Sequence, residues 1–83
     1  MNSKNNINNK KNILKQIFAE ILSINVSKIN DNFSTKNNKE WDSMAQVRII
    51  IEVEKKFKIK IKFQDVEKIR TFKAFYQFLD SSI

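Results

Sequence analysis

Apolar residues fall at Ile13, Leu14, Ile17, Phe18, Ile21 and Leu22. That i, i+3, i+4 spacing lays one stripe along a helix. It predicts a first helix over about 9–23, capped by Asn8 or Asn9, whose short side-chain oxygen accepts first-turn N–H groups. The segment ahead of it, MNSKNNIN (residues 1–8), is polar and low in complexity and reads as a disordered tail. Residues 9–83 read as a single domain.

A polar connection follows, from about Asn25 to Trp41, too long to be a passive loop in a compact domain. Val26, Ile29 and Phe33 recur within it and are expected to pin it to the core, with a short helical turn near 26–30. A second helix opens at Ser43. Met44, Val47, Ile50, Ile51 and Phe57 are read as its apolar face; Gln46, Arg48, Glu52, Lys55 and Lys56 are read as pointing to water, and Val53 falls off the stripe. FKIKIKF (57–63) alternates strictly, as a strand does. No other segment alternates, and a lone strand leaves its backbone unpaired. It is therefore read as an extended connector that buries Ile59 and Ile61.

FQDVEKI suits a short helix over about 64–69, with Val66 and Ile69 inward. Thr71 is placed to cap a last helix over about 72–81, whose Phe72, Phe75, Phe78 and Leu79 give one aromatic face. The expected fold class is all-α: a small antiparallel bundle of three main helices plus one short helix, with a long loop after the first.

Composition narrows the chemistry. A chain of 83 residues buries only roughly 60–65% of its unfolded surface. Without Cys it has no disulfide to reinforce that core. With no His and no Cys, the commonest general base, thiol nucleophile and zinc ligands are missing. With no Gly, a glycine-rich phosphate cradle cannot be built. Independent catalysis is not expected, and no metal site is expected. The longest unbroken apolar run is Ile49-Ile50-Ile51, so neither a secretory leader nor a membrane span is expected, and the cytoplasm is the default location.

The net charge of +7 suggests a nucleic-acid or anionic-membrane partner. Yet Lys, Asn and Ile dominate, Arg occurs only at Arg48 and Arg70, and the lysines are scattered along the chain. An A+T-biased codon usage produces the same profile. A small basic helical module for nucleic acid or protein interaction stays open beside any reading that gives Ser43 a chemical role.

Ser43 is the candidate for such a role. Ser43 and Gln46 form S-x-x-Q ahead of an apolar-periodic run, which is a capping box and requires no further function. The surroundings add to this. Asp42-Ser43-Met44 resembles the D-S-L attachment motif of acyl and peptidyl carrier proteins. The similarity continues without a gap through MAQVRIIIEVEKKFKIKIKFQDVEKIRTFKAFYQFL and extends upstream through ILKQIFAEILSINVSKINDN. It covers about residues 10–80, with second helix, F-x-I-x-I connector, short third helix and T-F-x-x-F opening in the family's order.

The resemblance implies that Ser43 bears 4′-phosphopantetheine, transferred from coenzyme A by a phosphopantetheinyl transferase. An acyl or aminoacyl thioester on that arm would then meet a loading ligase and a downstream acyltransferase or synthase. Asp42 would assist the transferase, its carboxylate being read alternatively or additionally as a helix cap, and Met44, where the family usually has Leu, would sit beside the arm. Trp41, Ala45, Val47, Arg48, Glu54 and Lys55 would face partner enzymes, Trp41 alternatively covering the core edge. Val47, Ile51, Val66, Ile69 and Phe72 would line any acyl pocket. Membrane insertion is not implied, and a monomer is. Carriers for fatty-acid synthesis are typically acidic along the second helix, whereas Arg48 and Lys55 lie there in this chain. The resemblance therefore favours a carrier for a specialised pathway.

Overall fold

The computed structural model describes residues 3–82, with side chains over 10–81. Four helices follow in order: α1 (Ser3–Leu22), α2 (Ser43–Phe57), α3 (Phe63–Val66) and α4 (Phe72–Ser82). A single 3-10 turn, Val26–Lys28, sits in the long loop after α1. Three long helices, one short helix and no strand among the described residues make this the expected all-α bundle. No described helix is long and apolar enough to cross a membrane.

α1 is the central element, packed against both α2 and α4. Leu14, Ile17, Phe18 and Leu22 are buried and Ile13 and Ile21 partly so, as the stripe requires. The helix begins at Ser3 rather than near residue 9, so Asn8 and Asn9 lie inside it and neither is its cap. Most of the segment expected to fray is thus continuous with the helix; Met1 and Asn2 lie outside the described residues.

The loop is anchored at Ile29 and Phe33, both buried, while Val26 is 43% exposed and does not pin it. Asn25 caps the 3-10 turn by accepting from the Ser27 N–H. The loop's far half is tied to the start of α4. The Phe72 N–H donates to the Phe33 carbonyl at 2.8 Å, and the Thr35 N–H donates to the Arg70 carbonyl at 3.0 Å. Thr71 caps α4 as expected, its Oγ1 accepting from the Ala74 N–H at 3.0 Å. Phe72, Phe75 and Leu79 are buried, and Phe78 is partly buried.

The orientation of α2 differs from the expected one. Its buried residues are Ala45, Gln46, Ile49 and Val53. Met44, Val47 and Ile51 are 70%, 56% and 47% exposed. At about 100° per residue the two sets lie on opposite sides of the helix. α2 is apolar on both faces, so periodicity alone does not decide which face turns inward, and the small Ala45 and polar Gln46 disguise the inner one. Of the expected apolar face, only Ile50 and Phe57 are partly buried.

The connector behaves as read: Ile61 is buried, Ile59 partly so, and Lys58, Lys60 and Lys62 are exposed. Its backbone finds a partner in Glu54, whose Oε2 accepts from the Ile61 N–H at 2.9 Å. α3 is shorter than expected, ending at Val66. Ile69 is buried and Val66 half-buried, as read, while Phe63 at the start of α3 is 90% exposed.

A chain without glycine makes its helix ends with other residues. Ser23 after α1 and Lys58 after α2 adopt left-handed conformations with φ of 57° and 56°. In each case the following N–H returns to the helix, Ile24 to the Ala19 carbonyl and Ile59 to the Glu54 carbonyl. A side chain in this region costs about 1–2 kcal/mol, while glycine adds about 0.5–1 kcal/mol of unfolded-chain entropy. Lys58→Gly is therefore expected to stabilise the fold by about 0.5–1 kcal/mol, and Lys58→Val to destabilise it. Urea denaturation midpoints of the two variants check the sign of each change.

Candidate functional site

Trp41 is the structural base of the site. Its side chain is 2% exposed. The ring stacks on Phe33 at 5.8 Å between centroids and meets Phe18 edge-on at 4.7 Å. A buried indole N–H must find an acceptor, and this one donates from Nε1 to Gln46 Oε1 at 2.6 Å. The other end of the Gln46 amide donates to the Ile69 carbonyl at 3.2 Å and reaches the Val66 carbonyl at 3.4 Å. Losing either partner of such a buried pair costs about 1–3 kcal/mol. The residue preceding the Asp42-Ser43 motif is thereby held to both α2 and the 66–69 segment.

Asp42 is the N-cap of α2. Its backbone is extended, and Oδ1 accepts from the Ala45 N–H at 2.9 Å. Its carbonyl accepts the first intrahelical bond, from the Gln46 N–H at 2.9 Å. Ser43 is consequently the first helical residue and not the cap, and the S-x-x-Q capping box does not form: Gln46 turns inward to Trp41. Ser43 is exposed, and its Oγ makes no hydrogen bond to another described residue. Asp42 thus takes over the capping that would otherwise account for Ser43. The positive end of the helix dipole and the first-turn N–H groups lie beside that free hydroxyl, a setting that favours an attached or approaching anion.

Beside Ser43 opens a groove of about 440 Å³ between the start of α2 and the 66–70 segment. Val47 and Val66 form apolar walls, Thr35, Glu67 and Arg70 a polar rim, and Trp41 and Gln46 the floor. The Arg70 guanidinium pairs with both oxygens of Glu67, at 3.0 and 2.9 Å.

The other candidate residues divide between two faces. Met44, Val47, Arg48 and Lys55 are exposed on the outer side of α2, with Lys55 Nζ 3.8 Å from Glu52. Trp41 and Ala45 are buried, so neither offers its side chain to a partner; of the two roles open to Trp41, covering the core edge is the one the fold uses. Glu54 is half-buried and held by the connector backbone. Of the five expected pocket residues, Val47 and Val66 meet as the apolar walls of the groove. Ile51 is exposed on the outer side of α2, and Ile69 and Phe72 are packed in the core. Gln46, Thr35, Glu67 and Arg70 belong to the site without having been read as such. A signal for Gln46 did exist: a buried Trp41 needs an acceptor, and Gln46 is the nearest amide one turn into the helix.

The phosphopantetheine attachment site family matches this chain over residues 12–79. The chain is 32% identical over 75 residues to an acyl carrier protein of Buchnera aphidicola subsp. Schizaphis graminum, covering 90% of this chain and 95% of that one. It is 34% identical over 58 residues to an acyl carrier protein of Chlamydia caviae, covering 70% of this chain and 75% of that one.

Cap and hydroxyl can be separated by substitution. Asp42→Ala is expected to cost about 1 kcal/mol through loss of the cap. Ser43→Ala, at an exposed position without a bond to lose, is expected to change stability by less than about 0.5 kcal/mol. Chemical denaturation of the pair measures both, and equal losses would mean that Ser43 shares the capping.

Proposed function

The chain belongs to the phosphopantetheine attachment site family, and from that premise we propose that Ser43 is the residue on which it bears its 4′-phosphopantetheine. The observation that supports this position most directly is the exposed Ser43 hydroxyl, freed from capping by Asp42, at the N-terminus of α2. A phosphodiester fits there: the first-turn N–H groups and the helix dipole favour its negative charge.

The chain is an acyl carrier. When attached, the group supplies a terminal thiol that holds an acyl or aminoacyl cargo as a thioester, chemistry that a chain without Cys cannot supply itself. The protein's own residues do the rest. Asp42 fixes the start of α2 and so the direction of the Ser43 Oγ. Trp41, locked to Gln46, keeps that start from shifting against the core. No residue of the chain is assigned a catalytic role; loading and unloading fall to partner enzymes, a phosphopantetheinyl transferase among them. This reading displaces the nucleic-acid module that net charge alone left open.

The partner face is the outer side of α2, where Met44, Val47 and Ile51 supply exposed apolar contact and Arg48 and Lys55 supply positive charge. Such a face suits partners that are apolar at the centre and acidic at the rim, because complementary charge governs encounter and register. The pathway it serves is a specialised one rather than bulk fatty-acid synthesis.

Incubation with coenzyme A and a promiscuous transferase is expected to add one phosphopantetheinyl mass, and Ser43→Ala to abolish the gain while the fold is retained. Unmodified wild-type protein under conditions that modify a control carrier would refute the assignment. For the partner face, Arg48→Glu with Lys55→Glu is expected to raise turnover by fatty-acid enzymes that prefer acidic carriers severalfold, mainly through KM. An unchanged KM would show that the charge of this face does not select partners.

A further inference from the structure

The groove beside Ser43 ends on a single pair of side chains. Trp41 and Gln46 form its floor, and the hydrogen bonds described above run across the gap from Trp41 through the Gln46 amide to the Ile69 carbonyl. Three chain segments are joined by this arrangement: the end of the long loop, α2, and the stretch between α3 and α4. Nothing passes from the groove into the bundle unless these segments separate. Behind the floor the space is filled by rings, Trp41 on Phe33 and Phe18, and Phe18 in turn edge-on to Phe72 and Phe75, both 5.4 Å away. No buried side-chain polar atom among the described residues lacks a partner. Opening the floor would therefore strip an indole N–H and an amide that are now fully bonded in an apolar surrounding.

We propose that the Trp41–Gln46–Ile69 closure bars cargo from the bundle interior, so that this carrier holds its acyl group outside, in the groove beside Ser43. Cargo held there stays in contact with water and with the polar rim of Thr35, Glu67 and Arg70. Burial of a long alkyl chain would be rewarded only in the interior. The carrier is thus suited to short or polar acyl groups, aminoacyl groups among them, which need no cover. The proposal deepens the assignment of Ser43 as the attachment residue and rests on it. Gln46 acts here as a positioning residue: through its bonds to Trp41 and to the Ile69 carbonyl it keeps the floor shut and sets where cargo is able to go.

The test uses the whole protein loaded with acetyl, hexanoyl and decanoyl groups through hydrolysis-resistant amide analogues of the acyl-coenzyme A. Mass spectrometry first verifies the loading on Ser43. The thermal midpoint is expected to be the same across the series within measurement error, and the emission of Trp41, the chain's single tryptophan, to match that of the unloaded protein. In Gln46→Ala the decanoyl form is expected to gain thermal stability over the acetyl form, a dependence on chain length that a general loss of stability does not produce. Should that variant not fold, the wild-type series and one further measurement decide the matter. In the unloaded wild type the Trp41 indole N–H is expected to exchange with deuterium as slowly as the deepest core amides. A wild-type midpoint that climbs with chain length, a shifted Trp41 emission on decanoyl loading, or fast exchange of the indole proton would each overturn the closure. Absence of any loaded mass on Ser43 would overturn the attachment reading and the proposal with it, and is distinguished from those outcomes by the mass spectrum alone.

Discussion

The ring of Phe18 organises this molecule. It projects from the central helix and meets four other aromatic rings edge-on: Phe33, Trp41, Phe72 and Phe75, at centroid distances from 4.7 to 6.3 Å. Edge-to-face contact places the positive edge of one ring on the negative face of another, and each such pair adds about 0.5–1.5 kcal/mol beyond area burial. The four partners come from the loop, from the residue before the Asp42 cap of α2 and from two turns of α4. A small bundle has little surface to bury, and concentrating its aromatic volume on one residue lets a modest core fix every segment at once. The position of Ser43 follows from this, because Trp41 is two residues away.

Exposure at the site and burial beneath it are produced by the same short run. Trp41 turns inward, Asp42 spends its carboxylate on the Ala45 N–H, and Ser43 is left outside with its hydroxyl unengaged. Had Ser43 been the cap, its Oγ would have been directed back at the backbone and less available to a modifying enzyme. Had Trp41 faced solvent, α2 would have lost the hydrogen bond that fixes its rotation. The division of labour between adjacent residues makes the hydroxyl both well positioned and accessible.

Much of this was legible in the residues. The stripe of α1, the Thr71 cap, the aromatic face of α4, the anchoring of the loop at Ile29 and Phe33, and the inward Ile59 and Ile61 all follow from spacing and side-chain chemistry. The rotation of α2 was not. Met44, Val47 and Ile51 form as good a stripe as Ala45, Ile49 and Val53, and the choice between them depends on contacts from Trp41 and from the 66–69 segment that are distant in sequence. Gln46 was misread for the same reason: a polar residue looks solvent-facing until a buried donor is known to need it. Of the expected acyl-pocket residues only Val47 and Val66 meet, across the groove, because Ile51 turns outward with the rotation of α2 and Ile69 and Phe72 are taken up by the core.

The outward stripe that periodicity mistook for the core has its own physical meaning. Exposed Met44, Val47 and Ile51 carry an unfavourable hydration free energy that folding of the chain does not relieve. They lie on the side of α2 that also bears Arg48 and Lys55, at the end of which Ser43 stands. On the proposed reading this face, apolar, adjacent to Ser43 and ringed by charge, gains its burial when a partner enzyme covers it. The inner face of α2 holds the carrier together through Gln46 and Val53, and the outer face is left exposed. A helix with two apolar faces is ambiguous to read from sequence, and under the proposed function the ambiguity has a cause: one face serves the permanent core and the other a transient interface.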